Sequence, residues 1–188
     1  MFRHLMSILT PLLMALSFSP AWGDQYSDTI SIFKNAGESG NFFSTAYGYA
    51  VFPTIGKAGI GIGGAYGSGR VYEKGKVIGE ASMTQVSIGF QLGGQAYSEV
   101  IFFRDARALK EFTSGNFEFG ADASVVVITA AANAKASTTG GSAGVSGGRK
   151  DASTAGDYSG GMATFTVARG GLMYEAAIAG QKFSYRAN

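Results

Sequence analysis

Ala58-Gly59-Ile60-Gly61-Ile62-Gly63-Gly64-Ala65-Tyr66-Gly67 alternates residue by residue. Side chains of an extended chain point to opposite faces in turn, so Ile60, Ile62, Gly64 and Tyr66 share one side. Gly59, Gly61, Gly63, Ala65 and Gly67 share the other, which is nearly bare. A strand with a bare face lets another backbone, a large side chain or a ligand approach closely. The same division returns where Val86, Ile88, Phe90 and Leu92 alternate with Ser87, Gly89, Gln91 and Gly93. Glycine-rich faces also permit bulges and tight bends. The expectation is an α+β fold built on a strongly curved, mostly antiparallel, barrel-like sheet.

The flanking sequence adds elements on both sides. Val71-Tyr72, Lys74-Gly75-Lys76 and Val77-Ile78 read as a hairpin with a glycine turn. Glu99 to Phe103, Met162 to Ala168, Leu172 to Ile178 and Phe183 to Arg186 read as further strands. Ser124 to Thr129 is a β-branched run typical of a strand buried on both faces. Tyr26, Ile30 and Phe33 follow helical spacing within Asp24 to Ala36, and Gly37 supplies a stop. A second helix is expected over Glu38 to Ala46, and a short internal one over Asp105 to Thr113. Thr138 to Gly156, rich in Gly, Ser, Thr and Ala, reads as a loop or weak hairpin.

The first residues set the expected compartment. Arg3 and His4 precede an apolar run from Leu5 to Phe18, followed by the small-residue stretch Ser19-Pro20-Ala21-Trp22-Gly23. That is the layout of a cleaved signal peptide, and the run is shorter than the roughly 20 residues a bilayer span needs. The expected organisation is a signal peptide at 1–23, a helical segment at 24–46 and a β-rich domain at 47–188, with the product exported to the periplasm or cell envelope. Cleavage would leave one domain with a real core.

Several chemistries are excluded by composition. The chain has no cysteine, so disulfides, thiol catalysis and a lipidated cysteine are ruled out. Its one histidine, His4, falls in the expected leader, so a mature chain has no Ser–His, Cys–His or histidine–zinc mechanism. No catalytic or metal-ligating set is expected, and no cofactor. Gly59-Ile60-Gly61-Ile62-Gly63-Gly64 satisfies G-x-G-x-x-G, but the β-like, glycine-broken residues after it offer no helix N-terminus to a pyrophosphate. Lys57, Arg70, Lys74, Lys76, Arg149 and Lys150 are scattered bases in a chain of net charge +2, which argues against nucleic acid. Gathered beside Phe42, Phe43, Tyr47 and Phe52, they would suit an anionic lipid headgroup and its tails. Read separately, the bases are solvated loop residues and the aromatics are core.

Gly48-Tyr49-Ala50-Val51-Phe52-Pro53, then Lys57, then the Gly59 to Gly64 run with Gly67 and Gly69, resemble the opening signature of the SYLF-domain family. Gly89-Phe90-Gln91-Leu92-Gly93-Gly94 resembles its glycine–glutamine–glycine–glycine strand. Glu99 to Phe103 with Leu109 and Phe112 resembles the strand and helix that follow. Arg169-Gly170-Gly171-Leu172 and Gly180 resemble its closing positions, although Met173-Tyr174-Glu175 stands where the family commonly has Phe-x-Gly. Membership implies lipid binding, with phosphoinositides and actin as partners in eukaryotic relatives. An exported chain does not meet cytosolic actin, so lipid binding is the property carried over.

The expected function is therefore non-catalytic binding of an anionic phospholipid or lipid-like ligand at a membrane surface in the cell envelope. The residues this reading implicates are Lys57 and Arg70 for headgroup charge, and Tyr49, Phe52, Gly61 and Gly63 for close apolar contact. Two alternatives are a protein-interaction module with an envelope partner and a small outer-membrane β-barrel.

Overall fold

The computed structural model describes residues 22–36, 38–89, 94–123, 125–128, 158–169 and 178–188. Two helices, α1 (Trp22–Lys34) and α2 (Glu38–Thr45), lead into β1 (Gly48–Glu73), β2 (Lys76–Gly89) and β3 (Gln95–Phe103). Helix α3 (Ala106–Phe112) follows, then β4 (Phe117–Glu118), β5 (Val125–Ile128), β6 (Met162–Arg169) and β7 (Lys182–Ala187). The strands form a seven-stranded sheet in the order β4-β7-β2-β1-β3-β6-β5. All neighbours are antiparallel except β5 and β6, which run parallel. The result is the α+β architecture expected, with the sheet curled into a half-barrel.

The curl originates in β1. Its first half pairs with β3, from Gly48 against Phe103 to Lys57 against Gln95. Its second half pairs with β2, from Gly61 against Gly89 to Glu73 against Lys76. A straight strand of 26 residues would span roughly 85 Å, yet Lys74 N donates to Tyr47 O at 3.2 Å. β1 therefore doubles back, and the turning point lies where Gly59 faces the backbone of Ile62 and Gly63. The bare face permits this approach. A methyl group placed on Gly69 would lie 2.6 Å from the Phe52 ring and 2.8 Å from Val51 O, and one on Gly67 would lie 2.6 Å from Ile55 Cγ1. What comes close to the glycines is thus the backbone and large side chains of the strand's own first half.

The turn from β1 to β2 has Lys74 at φ 48° and Gly75 at φ 80°. Two positive φ values are what a two-residue hairpin that matches strand twist requires, and glycine reaches them without steric cost.

Each sheet face carries a core. On the inner face, Phe52, Ile55, Met83, Ile101, Phe103 and Phe183 pack with Leu109 and Phe112 of α3. Asp105 caps that helix by accepting from Ala108 N at 2.9 Å. On the outer face, Val51, Tyr72, Val100, Phe102 and Phe165 pack with Tyr26 and Phe33 of α1 and Phe42 and Phe43 of α2. Phe42 and Phe43 sit 5.3 and 4.8 Å from the Phe102 ring. Ser39 Oγ donates to Phe33 O at 2.6 Å, which fixes α2 to the end of α1.

The expected helices and most expected strands appear within a few residues of their sequence limits. The pair β4–β7 was not anticipated, since two residues carry no readable period. The expected loop at Thr138 to Gly156, the apolar positions Phe90 and Leu92, and the Leu172 end of the penultimate strand lie outside the described residues.

Because the two halves of β1 meet at Gly69, Gly69→Val should overpack that contact and cost about 1–3 kcal/mol. Gly56→Ala, whose new methyl would meet nothing within 4 Å, should change stability by less than about 0.5 kcal/mol. Urea unfolding of both variants checks this, and equal stabilities would mean that the close approach is not a constraint.

Candidate functional site

The outer face of β1, β2 and β7 is built in rungs. Arg70 lies opposite Glu80, which lies opposite Arg186. The next rung is Ser68, Ser82 and Ser184, and the next is Tyr66, Thr84 and Lys182. Gly64 opposite Val86 follows, and Ile62 lies one rung further towards the end of the hairpin. Helix α1 covers one end of this face through Tyr26, whose ring lies 4.2 Å from the Arg70 guanidinium carbon. At the other end, among the described residues, Ile62 is 73% exposed, Val86 78% and Tyr66 59%.

The face therefore grades from apolar, through hydroxyl rungs with Lys182 at their edge, to the charged rung of Arg70, Glu80 and Arg186. Ser82 and Ser184 share a hydrogen bond of 2.7 Å, and Arg186 donates to Glu80 Oε2 at 2.6 Å. These residues line a groove of about 440 Å³ together with Tyr26, Tyr66, Ser68 and Arg70. Burial raises the Tyr26 and Tyr72 hydroxyl pKa values above the usual phenol range, and the Arg70 charge pulls both the other way. Both phenols stay neutral at physiological pH.

The sequence-implicated residues divide between the two faces. Arg70 is on the groove. Tyr49 is on the same side of the sheet but under the helices, stacked on Tyr72 at 4.8 Å and edge-on to Phe43 at 5.0 Å. Phe52 is fully buried on the inner face, where its ring packs 5.5 Å from Phe183. Lys57 is buried as well and engaged with its neighbours. Gly61 and Gly63 lie opposite Gly89 and Ser87 near the reversal of β1. The G-x-G-x-x-G stretch is strand throughout, and the chain continues as strand beyond it. Phosphate cradling by a helix N-terminus has no place there.

Sequence reasoning missed Glu80, Arg186 and the three serines. Strand alternation puts each on a face, but only the pairing of β7 with β2 brings residues about a hundred positions apart into one rung.

Over residues 84–188, just over half of the chain, the sequence matches the Ysc84 family, described as Las17-binding protein actin regulator. The chain belongs to this family. No curated protein matches it. The Ysc84 match corresponds to the SYLF resemblance and takes in β3 to β7, together with β2 from Thr84 onward. It therefore includes Val86, Ser184 and Arg186, while Ile62, Tyr66 and Arg70 on β1 precede it.

Arg70→Ala takes the cation off the Tyr26 ring and should cost about 0.5–1 kcal/mol of stability. Arg186→Ala breaks an ion pair whose side chains are 82% and 54% exposed and should cost less than about 0.5 kcal/mol. Chemical denaturation of the two variants measures the difference, and indistinguishable losses would show that Arg70 does not hold α1 to the sheet.

Proposed function

We propose that this protein is an exported, non-catalytic lipid-binding protein of the cell envelope, and that the outer face of β1, β2 and β7 is the surface that meets the membrane. The observation that carries the reading is the gradient on that face. Ile62, Val86 and Tyr66 stand exposed at one end, hydroxyl groups follow with Lys182 at their edge, and Arg70 and Arg186 lie beyond them on either side of Glu80. A bilayer presents the same order: hydrocarbon, then the interfacial layer, then anionic phosphate. Tyrosine suits the boundary because it pairs an apolar ring with a polar tip.

The magnitudes support a reversible association. Two aliphatic side chains moved from water into hydrocarbon contribute roughly 3–5 kcal/mol together, and each basic residue close to an anionic surface adds about 1 kcal/mol. Export is supported by the charged start, the apolar run from Leu5 to Phe18 and the small-residue stretch after it. A non-catalytic role is supported by the lack of histidine and cysteine outside the leader and by a family that is generally non-catalytic. Lipid binding is also the property the SYLF resemblance implies.

The two alternatives fit less well. A membrane barrel turns an apolar outer wall to lipid and closes its sheet. Here α1 and α2 cover much of the outer face, and among the described residues β4 and β5 end the sheet without meeting. An envelope protein partner would have to account for the ordered change from apolar to cationic along one face.

Co-sedimentation of Asp24 to Asn188 with neutral and anionic vesicles across a salt series tests the proposal. Ile62→Ser with Val86→Ser should weaken binding to both vesicle types by roughly 100-fold. Arg70→Gln with Arg186→Gln should abolish the preference for anionic vesicles and the weakening by salt. Absence of binding by the unaltered protein at any salt concentration would refute membrane association and favour a protein partner.

A further inference from the structure

Glu99 is the one described acidic side chain that the fold encloses. It lies on β3, opposite Phe52 of β1 and Thr166 of β6, on the inner side of the sheet. Its hydrogen-bond donor is Gln181, whose Nε2 reaches Glu99 Oε2 at 3.0 Å and Tyr97 Oη at 3.1 Å. Those two bonds use both amide hydrogens. Glu99 Oε1, Thr166 Oγ1 and Gln181 Oε1 are buried without a partner. The other charged or titratable side chains buried on this side among the described residues are Tyr97 on β3 and Lys57 on β1. Thr166 faces Glu99 from β6, and Gln181 faces it from the segment before β7.

This cluster suits a neutral carboxyl and mismatches a carboxylate. An ionised Glu99 would seek further donors for oxygens that now share one, and a buried charge without them is costly. The Gln181 amide has no hydrogen left to give. A further donor would come from the Thr166 hydroxyl after a rotation, from the Tyr97 hydroxyl or from an entering water molecule, and each rearranges the cluster in which Gln181 binds Glu99 and Tyr97. Burial raises the Glu99 carboxyl to about 7, with the Gln181 hydrogen bond acting in the opposite direction.

Gln181 is not an isolated arm. Its N–H donates to Ile178 O at 3.0 Å and its carbonyl accepts from Phe119 N at 3.0 Å, while Gly180 N donates to Phe119 O at 2.9 Å. It is also the residue immediately before β7, which carries Ser184 and Arg186 to the outer groove. We propose that Glu99 is a protonation switch: its neutral form seats Gln181 and β7, and its ionisation loosens that seat and the groove that β7 completes. The effect on the groove's binding rests on the membrane reading above, whereas the effect on stability does not.

The sign follows from the raised folded value. The folded protein retains a proton that the unfolded chain releases, so this contribution to stability is full below about 4.5, declines as pH rises towards about 7, and is absent above it. Thermal and urea unfolding of the protein and of Glu99→Gln between pH 4.5 and 8.5 tests the switch. Relative to the variant, the unaltered protein should lose a factor on the order of 100 in its folded-to-unfolded ratio across this range. Binding to phosphatidylglycerol vesicles, whose phosphate stays ionised throughout, should weaken several-fold from pH 5.5 to 8 in the unaltered protein and stay level in the variant. Glu99→Leu provides the same uncharged comparison should the glutamine variant not fold. Identical pH profiles of stability would overturn the switch. A stability difference without a difference in vesicle binding would overturn the coupling to the groove and leave membrane association standing. If neither protein bound vesicles at any pH, the membrane reading would fall and the stability profile would decide the switch by itself.

Discussion

The contact between the two halves of β1 is the constraint from which the rest of the architecture follows. Phe52 and Ile55 occupy the space that side chains at Gly69 and Gly67 would otherwise fill, so the strand can fold over itself at short range. That reversal places β3 against one half and β2 against the other. The sheet then extends outward in both directions, to β6 and β5 on one side and to β7 and β4 on the other. Its inner face closes on Phe52, Phe103, Phe112 and Phe183. Without the glycines the halves would have to separate, and the inner core would lose the side chains that fill it.

Much of this was legible in the sequence, because strict alternation of large and small residues leaves few readings other than a strand with a bare face. The period of two, the glycine turn at Gly75 and the helical spacing of Tyr26, Ile30 and Phe33 each depend on local geometry, and each reappears in the fold. The occupant of the bare face was not legible. Backbone, side chain and ligand all satisfied the pattern, and only the reversal of β1 brings Phe52 there. Phe52 and Lys57 illustrate the limit, since motif position implicated both in lipid contact while folding buries both. Arg186 and the serine rung depend on pairing between distant strands, and Glu99 reads in sequence as an ordinary strand residue.

The inner and outer faces are joined by β7. Phe183 of that strand enters the inner core, while Ser184 and Arg186 look outward. The residue before it, Gln181, is held by Glu99 and Tyr97 in the interior. A short strand anchored by a buried polar cluster responds differently from one anchored by apolar packing alone. Apolar contacts change little with pH, whereas a carboxyl in a dry interior has two forms with very different solvation costs. The proposed switch thus ties the position of β7, between β2 and β4, to a chemical variable that apolar packing does not sense.

The exposed aliphatic residues of the β1–β2 hairpin also follow from the reversal. In an ordinary half-buried strand the large apolar side chains turn inward and the polar ones face water. In the second half of β1 the inward positions are taken by Ala65, Gly67 and Gly69, because the space inside them already holds Ile55 and Phe52. Alternation then turns Ile62 and Tyr66 outward. Small polar residues at those positions would satisfy the fold equally well, as Ser68, Ser82 and Ser184 do a few rungs away. Val86 repeats the pattern on β2, where it stands exposed opposite Gly64. Folding requires the glycines to face inward, whereas Ile62, Tyr66 and Val86 stand exposed among the described residues, and the proposed membrane contact accounts for their apolar character.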